Sequence, residues 1–276
     1  MIGTASFVGA GIMIAGGIVL PVGTCIWWLK TRKDRLSTVL AGAATWFLFA
    51  MILESVPKLL LFNPSTSIGK TVIDNVALYT VFGALLAGVF EETGRLVAFK
   101  TVLRNRTNKE TGISHGIGHG GFEAMFLMGV SGVQFMVFAV MINNGTFQTL
   151  IDQAAAGGAD ISGLEALPAE LMKITPLIGA LNIFERAVSM LLHVGLSVLV
   201  FNAVKRSKIS LYFIAVAAHT LIDVPAALYQ KDVLNIYVVE ALFAVVSVAF
   251  FVTVYRTFYK DEEPGEEGGE DRNDLP

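Results

Sequence analysis

Charge is scarce in this 276-residue chain: 16% of residues are charged, against roughly 25% in an ordinary soluble domain. Cysteine is scarcer. Cys25 stands alone, which excludes an intramolecular disulfide, and inside an apolar stretch it reads as a packing residue. No Gly-rich loop sits in a strand-to-helix setting, so the usual phosphate cradle is missing and no nucleotide or nucleic-acid partner is expected. A soluble catalytic domain is also missing, so any activity belongs in or at a membrane. Histidine is limited to four residues, His115, His119, His193 and His219.

What the chain has instead is apolar length. Hydrophobic residues make up 54% of it and mean hydropathy is +0.64. This composition predicts an all-α, polytopic membrane helical bundle whose main partner is the lipid bilayer. Seven transmembrane helices are expected at about 5–29, 36–62, 76–103, 113–142, 176–204, 209–229 and 234–258. The first has no basic region before it and no cleavage signal after it, so it reads as a retained span. Trp27 and Trp28 at its end suit an interface. Pro225 is expected to kink the sixth span. Between the fourth and fifth lies a Gly/Ala-rich segment, 143–175, with a short amphipathic helix near 164–172. The domain reading is a membrane-embedded helical domain at 1–260 and a disordered acidic C-terminal tail at 261–276.

Net charge is −3, yet the tail alone carries −7, which leaves +4 on the membrane domain. The basic loops at 30–35, 104–109 and 205–208 follow the first, third and fifth spans, and Arg256 and Lys260 end the seventh. The positive-inside rule then places the N-terminus outside and the C-terminus in the cytoplasm of a multi-pass plasma-membrane protein.

The polar residues inside the apolar runs carry the chemistry. Glu91-Glu92-Thr93-Gly94-Arg95 interrupts the third span, and charge at membrane depth is costly enough to mark function. Counting from the nearest basic residue at about 1.5 Å per residue puts Glu91 about 20 Å deep, with His119, His193 and His219 at about 15–18 Å. Four spans of alternating direction therefore bring these groups to one slab. His115, at about 9 Å, reads as a residue of the cytoplasmic mouth, and Glu54, paired with Lys58, lies on the outer side at about 28 Å. Spacing of four pairs Glu91 with Arg95, His119 with Glu123, and His219 with Asp223. Carboxylates so placed orient imidazole rings. Glu185 and Arg186 share the fifth span with His193. Glycines 116, 118, 120 and 121 thin the helix around His119, for close packing or for substrate.

This set suits hydrolysis. A carboxylate serves as general base on water, and neutral imidazoles hold a divalent metal such as zinc, leaving an open position. Without metal, Glu91 and one histidine activate water while another stabilises an oxyanion. The same groups also suit a proton-coupled transporter, or a non-catalytic scaffold with a degenerate site.

The segments Glu91-Glu92-x-x-Arg95, Gly-His119-Gly-Gly-Phe-Glu123, His193 and His219-x-x-x-Asp223 resemble the YhfC family of intramembrane metalloproteases, related to the PrsW and CAAX-processing proteases. The resemblance implies an intramembrane peptidase acting on membrane-associated protein or peptide substrates, near the cytoplasmic half of the membrane. It implies Glu91 as catalytic base, with Glu92 and Arg95 beside it. His119, His193 and His219 follow as metal ligands or as water-activating and oxyanion groups. Glu123, Asp223, Glu185 and Arg186 surround them. One departure stands out: the CAAX-type motif has three residues between the Glu pair and the Arg, and this chain has two, which points away from prenylated substrates.

Overall fold

A computed structural model describes residues 1–32 and 34–260. The expected disordered tail, 261–276, lies outside the described residues. Among the described residues, seven helices are long and apolar enough to cross a membrane: Thr4–Arg32, Leu36–Leu61, Val76–Lys100, Glu110–Asn144, Pro176–Lys205, Ser210–Gln230 and Ile236–Tyr259. They are called the first to seventh spans below. No strand occurs among the described residues.

Local chemistry sets the span boundaries. Asn75 Oδ1 accepts the Leu78 N–H at 3.0 Å to open the third span. Thr175 Oγ1 accepts the Ile178 N–H ahead of Pro176, whose missing N–H costs nothing in the first turn. Asn235 Oδ1 does the same for the seventh span through the Val238 N–H at 3.0 Å. The fourth span stops where Gly145 takes a left-handed backbone, φ 82°.

The fifth span is the hub. Its apolar window is 83% buried, whereas no other span exceeds 33%. Lipid tails are as apolar as leucine, so helices in a bilayer associate through close packing and hydrogen bonds rather than through the hydrophobic effect. Glycines on the fourth span make that packing possible on two faces. A Cβ on Gly116 would stand 2.5 Å from Val194 Cα on the fifth span, and one on Gly118 would stand 1.8 Å from the Val39 carbonyl oxygen on the second. Gly116 and Gly118 therefore serve backbone approach, whereas Gly120 and Gly121 face the side chains of His193 and Pro21. Toward the ends that carry the basic loops, an apolar cluster including Phe99, Leu103, Phe201, Val254 and Tyr259 closes the bundle.

Several elements differ from the sequence expectation. Two short helices, Ser67–Asp74 and Phe147–Ala156, were not foreseen; the expected amphipathic helix is present as Ser162–Lys173. Asp160 Oδ1 accepts the Ser162 N–H at 2.9 Å beside that helix, and the bond holds its exposed carboxyl below the usual range. The second and fourth spans each contain a π-helical stretch, Phe47–Leu53 and Met125–Val130. Pro225, where a kink is expected, lies inside the helix Ser210–Gln230 of the sixth span. Trp28 is buried, donating its indole N–H to Ser114 Oγ at 2.8 Å, so only Trp27 faces outward.

Candidate active site

Glu91 and Glu92 are neighbours on the third span with Arg95 one turn further on, and all three are buried. The helical step aims Glu91 and Glu92 at different neighbours. Glu91 Oε2 lies 2.8 Å from His119 Nε2 on the fourth span and 3.9 Å from His193 Nδ1 on the fifth. Glu92 Oε1 takes the Arg95 Nη1–H at 2.5 Å and lies 2.7 Å from His219 Nδ1 on the sixth. Arg95 therefore pairs tightly with Glu92, its partner three residues away. Its expected partner Glu91 lies further off, at 3.7 Å from Nη2. Nη2 reaches His193 Nδ1 at 2.6 Å, and Nε donates to Ser197 Oγ at 3.2 Å.

Glu123 does not pair with His119, four residues before it. Its Oε1 accepts from Arg186 Nη1 at 2.6 Å and from Ser189 Oγ at 3.3 Å. Its Oε2 lies 2.5 Å from His193 Nε2. Arg186 also pairs with neighbouring Glu185. His219 holds carboxylates at both edges, with Nε2 3.4 Å from Asp223 Oδ2. The three rings form a row: His119 and His193 have centroids 5.0 Å apart, and His193 and His219 5.6 Å.

His115 is not at a mouth. It is fully buried, with Nδ1 3.1 Å from Ser197 Oγ, Nε2 3.4 Å from Thr45 Oγ1, and its ring 4.7 Å from Phe99. Glu54 and Lys58 form the expected pair at 2.6 Å.

Four of these groups can hold a metal. Glu91, His119, Glu123 and His193 each offer one donor atom, and the four donors lie within 4.8 Å of one another. One buried atom in this set, His119 Nδ1, has no hydrogen-bond partner. Buried orphans of this kind call for an explanation such as an ion. Two imidazole nitrogens and two carboxylate oxygens suit a divalent metal such as zinc, bound at about 2.0–2.2 Å. The residues present therefore fit the group. The expected trio of histidines differs from this set. His219 lies outside this group of four, with its nitrogens 2.7 Å from Glu92 Oε1 and 3.4 Å from Asp223 Oδ2.

Beside the set is a cavity of about 130 Å³, lined by Glu91, Glu123, His193 and His219. It continues past Asp223, Glu185 and Arg186 to Glu240 on the seventh span. Glu185 and Glu240 are near the span ends that begin at Pro176 and Ile236, away from the basic loops. The cavity thus extends toward the ends away from the basic loops, and His115, expected at the cytoplasmic mouth, does not line it. Sequence reasoning missed Glu240, although it is the one charged residue between Asp232 and Arg256.

Comparison with known proteins gives two matches. The YhfC family, described as "YhfC intramembrane metalloprotease", matches residues 16–244. The "Uncharacterized membrane protein YhfC" of Bacillus subtilis (strain 168) is 29% identical over 253 residues, covering 90% of this chain and 96% of that relative. No solved structure matches.

Proposed function

This chain belongs to the YhfC intramembrane metalloprotease family, and from that premise we propose that it is a metal-dependent intramembrane peptidase. The observation that supports the reading best is the convergence of Glu91, His119, Glu123 and His193 on one buried point beside a cavity. His119, His193 and Glu123 would hold the metal, a two-histidine, one-carboxylate set that leaves a position open for water. A bound divalent metal, zinc being the natural candidate, supplies a lowered water pKa and a polarised substrate carbonyl.

The chain's own groups do the rest. The Glu91 carboxylate accepts a proton from water as the water oxygen bonds to the peptide carbonyl carbon. It returns that proton to the departing amine as the C–N bond breaks, leaving a carboxylic acid and an amine. His219 lines the same cavity, where its Nε2–H, 3.4 Å from Asp223 Oδ2, would turn to the carbonyl oxygen as negative charge develops. Glu92, Arg95 and Ser197 hold His193 and His219 in position through the contacts given above. Substrates are membrane-embedded peptides, and the cell membrane is the expected location.

The test uses the full chain reconstituted in liposomes with a mixture of membrane-spanning peptides, products being read by mass spectrometry. Wild type is expected to cut, and Glu91→Gln is expected to lower cleavage by at least about 100-fold, the range typical of a lost general base. Wild-type rates in that variant would remove Glu91 from the role. Proton uptake by the same liposomes, with no cleavage, would favour a carrier.

A further inference from the structure

The first and second spans are joined by a short basic turn, yet both pack on the fourth span far more than on each other. Between them runs a groove of about 200 Å³, with Cys25 and Ile26 on one wall, Leu36 and Leu40 on the other, and Gly118 and Gly121 in its floor. No residue that lines it is charged. Along the second span the groove covers residues 36–43, about 10 Å of helix. A helix about 10 Å across fills about 800 Å³ over that length, so the groove is too narrow for one and suits a single hydrocarbon chain. The end of the groove nearest the turn is basic. Arg35 directly precedes Leu36, Lys30 stands one turn beyond Ile26, and both are exposed. Arg106 joins them, its Nη2 donating to Ser37 Oγ at 3.2 Å. The one acid of the turn, Asp34, is already engaged: Oδ2 accepts from Ser114 Oγ and Oδ1 accepts the Arg35 N–H at 2.7 Å. A cationic rim on a chain-wide apolar slot complements a phosphate joined to an acyl chain, the pattern of basic pockets that hold anionic lipid head groups.

We propose that this groove binds one anionic phospholipid from the leaflet on the side of the basic loops. Its phosphate sits among Lys30, Arg35 and Arg106, and one acyl chain lies between the first and second spans against the fourth. The lipid thereby fills the wedge that these two spans leave open. A zwitterionic lipid brings the same chain without net negative charge, and a soluble head group brings the charge without the chain, so both are weaker ligands. This role is independent of the peptidase reading: the groove shares no lining residue with the cavity beside Glu91.

The experiment titrates the full chain in detergent with phosphatidylglycerol, with phosphatidylcholine of the same acyl chains, and with soluble glycerophosphoglycerol, binding being read by native mass spectrometry. Phosphatidylglycerol is expected to bind at least about tenfold more tightly than either of the others. That preference should fall to near unity in the double variant Lys30→Gln, Arg35→Gln. It should persist in Lys100→Gln, Lys208→Gln, which removes the same charge from exposed positions on other loops of that side. Leu40→Trp places a ring in the groove from an exposed position and leaves every charge in place. It should weaken phosphatidylglycerol several-fold, a loss that charge alone does not produce. Phosphatidylglycerol carrying a photoactivatable acyl chain should mark residues 21–26, 36–43 and 117–125 above all others. Equal binding of the two lipids by wild type, equal loss in the two double variants, undiminished binding in Leu40→Trp, or labelling spread evenly over the spans overturns the proposal.

Discussion

Arg95 spends its guanidinium on three neighbours at once, Glu92, His193 and Ser197, with no exposure to solvent. A buried pair that loses one member leaves an uncompensated charge, which costs about 3–5 kcal/mol. Glu92→Ala is therefore expected to lower stability by about that amount, measured by unfolding in detergent. Glu170→Ala, which removes the exposed partner of Lys173, should leave the unfolding curve unmoved. A small effect for Glu92→Ala would mean that Arg95 is not held as described. At this scale the sequence showed which residue types matter and at what depth. It did not show their partners. Counting along a helix fixes height, whereas Glu91 and Glu92 differ by about 100° in direction, and only the packed neighbours decide which ring each meets. The same limit explains His115: its height suggested a mouth, while Phe99, Thr45 and Ser197 enclose it.

Between elements, the fourth span is gripped from two sides through its glycines. Gly118→Ala would push a methyl into the Val39 carbonyl oxygen, and Gly116→Ala into the Val194 backbone. Backbone cannot swing aside as a flexible side chain can, so each change is expected to cost about 1–3 kcal/mol or more. Both should reduce the folded, monodisperse fraction on size-exclusion chromatography. Gly83→Ala on the third span meets nothing within 4 Å and should elute as wild type. Equal behaviour of Gly118→Ala and Gly83→Ala would contradict the close second-to-fourth contact. The spans themselves were legible because an apolar run bounded by basic loops has few alternatives in a bilayer. The short helices and the π-helical stretches were not, since an eight-residue helix such as Ser67–Asp74 carries little periodic signal. A π turn such as Met125–Val130 leaves no compositional mark on an apolar run.

For the whole molecule, the basic loops still argue for a cytoplasmic C-terminus. A C-terminal green fluorescent protein fusion should glow and an alkaline phosphatase fusion should stay inactive, with the reverse pattern contradicting that orientation. The candidate site belongs to no single helix: the third span supplies Glu91, the fourth His119 and Glu123, and the fifth His193. Metal content therefore reports on the assembled bundle as well as on the ligands. The most direct measurement is the metal-to-protein ratio of the purified full chain, by elemental mass spectrometry, for wild type and single variants. Wild type should carry about one divalent ion per chain, as a three-ligand site with one open position holds one metal. His119→Ala and His193→Ala should lose it, and Glu123→Ala should weaken it, while His219→Ala and Glu91→Gln keep it. A folded wild type that takes up no metal when supplied with zinc, or a His119→Ala variant that binds it as well as wild type, would contradict the account.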